Sequence, residues 1–218
     1  PAGPYRQSDR GALYDDLLRR LVAADRAYVC VCSRADIRRA QSAPHLHRGG
    51  ELPYPGTCRR RSASLDTGGP RVGARLNVHQ LGRRAACSFI DGWQGPRHED
   101  VRTTCGDFLL GRVGAPAYQL ACVADDRAMG ITDVVRGADL LGSTARQRLL
   151  HDALADIGVG GRVPRTFHHP LWLDGSGRKL SKRDGDASVA TLRAEGASAA
   201  ALVARVGRAA ELFEPAVR

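Results

Sequence analysis

Leu13, Leu17 and Leu21 recur at helical spacing among charged neighbours, which predicts an amphipathic helix over residues 8–25. Ser8 is placed to cap it, and Asp9 sits favourably at its positively polarised start. Tyr28-Val29-Cys30-Val31-Cys32 reads as a short apolar strand. Ser33-Arg34-Ala35-Asp36 then reads as a capping box with Asp in the acidic position, opening a brief helix. Residues 41–70 are rich in Gly, Pro, His and Arg without periodicity, and a loop of that length calls for a staple or a function.

Further on, Val72, Ala74, Leu76 and Val78 alternate with Gly73, Arg75, Asn77 and His79, the pattern of a half-exposed strand. Residues 86–90 predict a second strand, closed by an Asp91-Gly92 turn. The runs 117–123 and 131–135 are apolar and predict buried strands. Ser143 is placed to cap a helix to about residue 154, and residues 167–173 predict another strand. A polar, Gly-rich loop covers 174–186, and an Ala-rich helical tail starts at Ser188 with breaks near Gly196 and Gly207. Strands alternating with helices predict an α/β layer, and the hairpin-like middle predicts an inserted β-rich module.

No stretch approaches ~18 uninterrupted apolar residues, which excludes a membrane-spanning helix. The first residues lack the order of a secretory signal, so a cytoplasmic protein is expected. Composition changes the picture through charge: 33 basic against 23 acidic residues give +10 over 218 residues, which favours a polyanionic partner such as nucleic acid. Only two of the basic residues are lysines, Lys179 and Lys182, and they stand in one loop. Arg and Lys interchange freely on a solvated surface but not where a compact ammonium meets a phosphate. The pair therefore points to a phosphate-handling loop, against the bland alternative of a basic turn.

Three constellations carry chemistry. Cys30 and Cys32 point to one face of a strand, and Cys58 returns from the long loop. In a reducing compartment that spacing favours a metal over a disulfide, with Tyr54, His45 or His47 as fourth ligand; three unrelated thiols are the alternative. Cys87, Cys105 and Cys122 are isolated and read as core thiols. Gly177-Arg178-Lys179-Leu180-Ser181-Lys182-Arg183 places two ammonium groups and a hydroxyl on a loop suited to a triphosphate. Arg136-Gly137-Ala138-Asp139 ends a strand with a guanidinium and a carboxylate where open α/β sheets bind ligands. With Tyr118, Arg136 makes a candidate clamp for a carboxylate; a structural ion pair and a core tyrosine are the alternatives.

Taken in order, these pieces resemble the class I glutamyl-tRNA synthetase family, and within it the short glutamyl-queuosine tRNA(Asp) synthetase branch. The resemblance rests on Gly3-Pro4-Tyr5-Arg6-Gln7-Ser8-Asp9-Arg10, on Cys30-x-Cys32 with Tyr54-Pro55-Gly56-Thr57-Cys58-Arg59, and on Phe89-Ile90-Asp91-Gly92-Trp93-Gln94-Gly95 with Gly106-Asp107-Phe108. It rests most on Ala117-Tyr118-Gln119-Leu120-Ala121 through Val134-Val135-Arg136-Gly137-Ala138-Asp139-Leu140-Leu141-Gly142-Ser143-Thr144, and on Lys179-Leu180-Ser181-Lys182-Arg183, which is similar to the KMSKS loop. Full-length glutamyl-tRNA synthetases usually carry an acidic residue where this chain has Ala138.

The resemblance implies a Rossmann-like catalytic domain whose HIGH-motif half is not within this sequence. It implies a residual helical part over 1–29, a zinc-bearing acceptor-binding-like module over 30–107, the second half of the catalytic domain over 108–173, and the KMSKS-like loop with its helical tail over 174–218. By the same resemblance the protein activates L-glutamate with ATP and Mg2+ and passes the glutamyl group to queuosine in the anticodon of tRNA(Asp). Tyr118 and Arg136 would then hold glutamate, Lys182 the ATP phosphates with Lys179 assisting, and Cys30, Cys32, Tyr54 and Cys58 a structural Zn2+. Two alternatives are a truncated glutamyl-tRNA synthetase catalytic domain and a non-catalytic zinc-containing RNA-binding remnant.

Overall fold

The structure is a computed structural model that describes residues 3–40, 53–61, 64–67, 72–171, 173, 176 and 188–204. His45, His47, Lys179 and Lys182 lie outside the described residues. The chain divides into two compact units. The first is Pro1–Phe89, Arg97–Asp133 and Gly142–Pro164; the second is Ile90–Pro96, Val134–Leu141 and Arg165–Arg218.

In the first unit, helix α1 (Gly11–Ala23) buries Tyr14, Leu17, Leu18 and Leu21. The helix starts later than Ser8 because Gln7–Arg10 tighten into a 3-10 turn, where the Ser8 hydroxyl bonds Asp9 instead of capping. Strand β1 (Ala27–Cys30) follows, and then α2 (Arg34–Ala40). The predicted capping box is present: Asp36 N–H donates to Ser33 Oγ at 3.1 Å, and Ser33 N–H to Asp36 Oδ2 at 2.8 Å. Strand β2 (Gly73–Leu76) pairs antiparallel with β1, Tyr28 opposite Arg75 and Cys30 opposite Gly73. It is buried except for the half-buried Arg75, rather than alternately exposed, because it lies inside the sheet, flanked by β1 on one side and by strand β5 (Leu109–Arg112) on the other.

Strands β3 (Ala86–Asp91) and β4 (Gly95–Asp100) form the hairpin around the predicted Asp91-Gly92 turn, followed by the single turn α3 (Val101–Thr104). Strands β5 (Leu109–Arg112) and β6 (Ala115–Pro116) complete an antiparallel sheet of order β1-β2-β5-β6.

Residues 117–123, expected as a strand, instead open helix α4 (Tyr118–Ala128). A short apolar run suits either element, and here Leu120, Ala121, Val123, Ala124 and Arg127 are buried at helical spacing among good helix formers. Strand β7 is Asp133–Gly137, and helix α5 (Leu141–Asp156) begins ahead of Ser143, whose hydroxyl instead accepts from Gln119 Nε2 at 3.1 Å. Leu149, Leu150, Ala153 and Leu154 of α5 join the buried core of the first unit.

The second unit is centred on strand β8 (Arg165–His169), shifted toward the N-terminus of the expected 167–173 because Pro170 ends it. The second sheet runs β4-β3-β8-β7, with β3 and β8 parallel through Asp91 and Thr166. Helix α6 (Val189–Ala194) starts at Ser188, whose hydroxyl accepts from Thr191 N–H at 3.0 Å, and Gly196 ends it.

Candidate functional site

The strand that carries Cys30 leaves Cys32 two residues on, and α2 then turns the chain away. The returning segment is fixed by Gly106, whose backbone bridges to Tyr54. Gly106 adopts φ +66°, and a Cβ there would lie 3.1 Å from the Tyr54 backbone, so a side chain would push the phenol-bearing residue out of place. The result is a cluster: the Sγ atoms of Cys30, Cys32 and Cys58 lie within 4.8 Å of one another, with Cys32 and Cys58 3.5 Å apart. The Tyr54 hydroxyl stands 3.4 Å from both Cys30 and Cys32 Sγ and accepts the Cys58 N–H at 3.1 Å.

These spacings test the donor set. A tetrahedral zinc with ~2.3 Å bonds to sulfur and ~2.0 Å to oxygen sets its sulfurs about 3.8 Å apart, and sulfur and oxygen about 3.5 Å apart. The three thiols and the phenol therefore already occupy positions close to the corners of such a polyhedron. Cys30, Tyr54 and Cys58 are buried and Cys32 is half-buried, with Tyr28, Val31 and Ile37 packed around them.

Charge around the cluster is arranged as well. Burial opposes ionisation of Cys58, but the Val31 backbone and the bonds from Tyr54, Cys32 and Cys30 outweigh it and bring the thiol down to about 7. Burial, helped by Cys58 and Cys30, pushes Cys32 up to about 11, and burial likewise raises Tyr54. Cys58 is thus poised to ionise near neutral pH, while Cys32 and Tyr54 hold protons that binding of a cation would release.

Beneath them lies Asp107, which is buried. It accepts Tyr28 Oη at 2.6 Å, Arg59 Nε and Nη2 at 3.0 and 2.7 Å, and Val78 N–H at 2.9 Å. Arg59 follows Cys58 directly, so the carboxylate ties the returning loop to β1. Among the described residues no other group of Cys, His, Asp or Glu converges in this way. Cys87 is buried, while Cys105 and Cys122 are half-buried.

The carboxylate-clamp candidates fall in different units. Tyr118 opens α4 in the first unit and is exposed. Arg136 stands near the carboxyl end of β7 in the second unit, half-buried, with its Nε 2.9 Å from His168 Nε2. Sequence reasoning missed His168 and its buried partner Asp91, although the alternation of Phe167-His168-His169 already placed one histidine on each face of its strand. It also missed Asp125 on α4, which accepts Gln7 Nε2 at 3.0 Å, Arg10 Nε at 2.7 Å and the Tyr14 hydroxyl at 2.9 Å. The motif around residues 3–10 thus docks through its Gln and second Arg.

Among the described residues no helix is long and apolar enough to cross a membrane. The sequence is 47% identical over 190 residues to the glutamyl-Q tRNA(Asp) synthetase of Leptothrix cholodnii, covering 86% of this chain and 61% of that protein. It is 46% identical over 189 residues to that of Geobacter sulfurreducens, covering 86% of this chain and 56% of that protein. In both cases the chain spans less than two thirds of its relative. A crystal structure of a glutamate tRNA ligase from Elizabethkingia meningosepticum, in complex with its amino acid, superposes with a TM-score of 0.64 at 26% identity, covering 85% of this chain and 38% of that one. The family described as tRNA synthetases class I (E and Q), catalytic domain, matches residues 1–211. With the β7 arginine and the α/β sheets in place, the match over nearly the whole sequence shows that the chain belongs to this class I synthetase catalytic-domain family.

Proposed function

We propose that the protein activates L-glutamate with ATP and transfers the glutamyl group to queuosine in the anticodon of tRNA(Asp). In the first step the glutamate carboxylate attacks the α-phosphorus of ATP, forming glutamyl-adenylate and releasing pyrophosphate. In the second the glutamyl group passes to the modified base and AMP leaves. The observation that carries this reading is the guanidinium of Arg136 near the carboxyl end of β7, in a chain 47% identical to a glutamyl-Q tRNA(Asp) synthetase. A planar fork there pairs two nitrogens with the two oxygens of a carboxylate. Tyr118 supplies the second glutamate contact, and Lys182 with Lys179 meets the ATP phosphates with Mg2+.

The same reading assigns a structural Zn2+ to Cys30, Cys32, Tyr54 and Cys58, supported by the fit of their spacings to a tetrahedron. When bound, the ion holds the returning loop onto β1 and stabilises the module over residues 30–107. The +10 charge supports tRNA as the partner. A cytoplasmic setting goes with this function.

The test uses the full-length protein. Glutamate-dependent exchange of pyrophosphate into ATP without tRNA, and glutamylation of tRNA(Asp) that contains queuosine but not of tRNA(Asp) that lacks it, are expected. Charging of the 3′ end of a tRNA instead would assign the protein to the glutamyl-tRNA synthetase branch.

A further inference from the structure

The second unit holds a chain of three polar side chains that no other part of the site explains. Asp91 ends β3 and is fully buried. Its Oδ1 accepts the N–H groups of Trp93 at 3.2 Å, Gln94 at 3.0 Å and His168 at 3.1 Å, while its Oδ2 lies 2.6 Å from His168 Nδ1. His168, on β8 and also fully buried, meets Arg136 Nε on β7 through Nε2 at 2.9 Å. The three strands are locked in this register. Gly92 N–H donates to Thr166 O at 2.8 Å, and Gln94 Nε2 to His168 O at 2.9 Å. A Cβ on Gly92 would come within 2.2 Å of the Phe167 ring, so only glycine lets the Asp91 turn close against β8.

The chemistry sets every proton. Burial works against the Asp91 carboxylate, but the bonds from His168, Gln94 and Trp93 outweigh it and hold the group below the usual range. An arginine keeps all its protons, so its Nε–H donates and His168 Nε2 must accept. The imidazole proton is then on Nδ1, donated to Asp91. A neutral ring thus stands between an anion and a cation, in the tautomer that each of them requires.

We propose that His168 and Asp91 are positioning residues that orient the Arg136 guanidinium for the carboxylate of the amino-acid substrate, an inference that rests on the reading of Arg136 as a glutamate ligand. With Nε–H committed to His168, a two-oxygen ligand pairs with the fork on its Nη1–Nη2 edge. The rotation of the guanidinium plane is fixed before substrate arrives, which removes an ordering cost from binding.

The experiment compares His168→Gln with His168→Asn in the full-length protein. Glutamine places an amide oxygen near the Nε2 position and still accepts from Arg136. Asparagine reaches only the Nδ1 position, so it keeps the bond to Asp91 and loses the one to Arg136. Pyrophosphate exchange should show the glutamate KM raised about tenfold or more in His168→Asn, the size expected for losing a hydrogen bond to a charged group. His168→Gln should restore most of that loss, and the ATP KM should stay unchanged in both.

Equal KM rises for glutamate and ATP, no advantage of Gln over Asn, or a wild-type glutamate KM in His168→Asn would overturn the proposal. Nitrogen NMR of the wild-type ring gives a readout that needs no variant to fold: the Nδ1–H tautomer is expected, and an Nε2–H tautomer overturns the proposal. A wild-type protein without glutamate-dependent exchange, yet with the Nδ1–H tautomer, would instead sink the glutamate reading and leave the hydrogen-bond chain standing.

Discussion

The guanidinium of Arg75 lies 3.9 Å from the centre of the Tyr54 ring, and its Nε reaches Cys30 Sγ at 3.4 Å. One cation therefore touches two of the four donors in the thiol-phenol cluster. Its Nη1 is anchored on Asp107 O at 2.9 Å, on the residue that also grips Arg59 behind Cys58. Three thiolates and a phenolate around a divalent ion leave two excess negative charges, and Arg75 is placed to offset one of them.

Removing that cation should weaken metal binding without removing a ligand. Arg75→Ala is expected to lower zinc affinity about 10- to 100-fold, the range found for losing an outer-shell partner. Arg75→Lys should recover part of this, because it restores charge but neither stacks in plane nor forks. Competition against a chromophoric chelator measures both, and unchanged affinity in Arg75→Ala would rule the role out.

The cluster itself predicts about one zinc per chain in protein purified without added metal. Cys58→Ser removes a buried thiolate and should lose most of the metal. Tyr54→Phe should weaken retention without abolishing it, since three sulfurs remain and the phenol is held high in pKa by burial. Elemental analysis decides, and a metal-free protein that is fully folded would sink the site.

How far the sequence led depended on whether the signal was local. The capping box at Ser33 and Asp36, the Asp91-Gly92 turn and the helix start at Ser188 are each set within a few residues, and all three are present, whereas the hydroxyls of Ser8 and Ser143, expected as caps, bond other side chains. The Cys-x-Cys strand and its returning Cys58 were legible because metal-ligand spacing is a pattern in itself. The helix at 118–128 was misread as a strand because seven apolar-rich positions do not separate the two periodicities. Asp91, Asp107 and Asp125 were invisible as polar anchors because a lone aspartate in sequence carries no mark of the donors that converge on it across 77, 48 or 115 positions. Such groups are recognised only by burial together with satisfied hydrogen bonds.

Arg136→Lys should impair glutamate use almost as severely as Arg136→Ala. Lysine keeps the charge but loses both the parallel pair of bonds to a carboxylate and the Nε–H that meets His168. The comparison is made on the glutamate KM in pyrophosphate exchange with the full-length protein. Equal values for wild type and the Lys variant would assign Arg136 another role.

The last prediction concerns acid stability and turns on His151 in the first unit. The ring is buried in α5, its Nδ1 lies 3.1 Å from Arg127 Nη1, and Arg127 also donates to the His151 carbonyl at 3.1 Å. Burial, with Arg127 and Arg148 nearby, lowers the imidazole pKa from 6.5 to about 4. The folded state therefore refuses a proton that the unfolded chain accepts below 6.5. Above that value both states are neutral and the group is silent. As pH falls from 6.5 toward 4 the unfolded state gains the proton first and stability drops; below 4 both states are protonated and the loss levels off. At pH 5 the loss from this residue should be about 2 kcal/mol relative to pH 7.5. His151→Asn places an oxygen where Nδ1 was, so it keeps an acceptor for Arg127 but does not titrate. Its urea midpoint should start lower at pH 7.5, because the smaller side chain leaves space in the core. Between pH 7.5 and 5, however, it should lose about 2 kcal/mol less than the wild type. Equal losses in the two proteins across that window would show that His151 does not set the acid sensitivity.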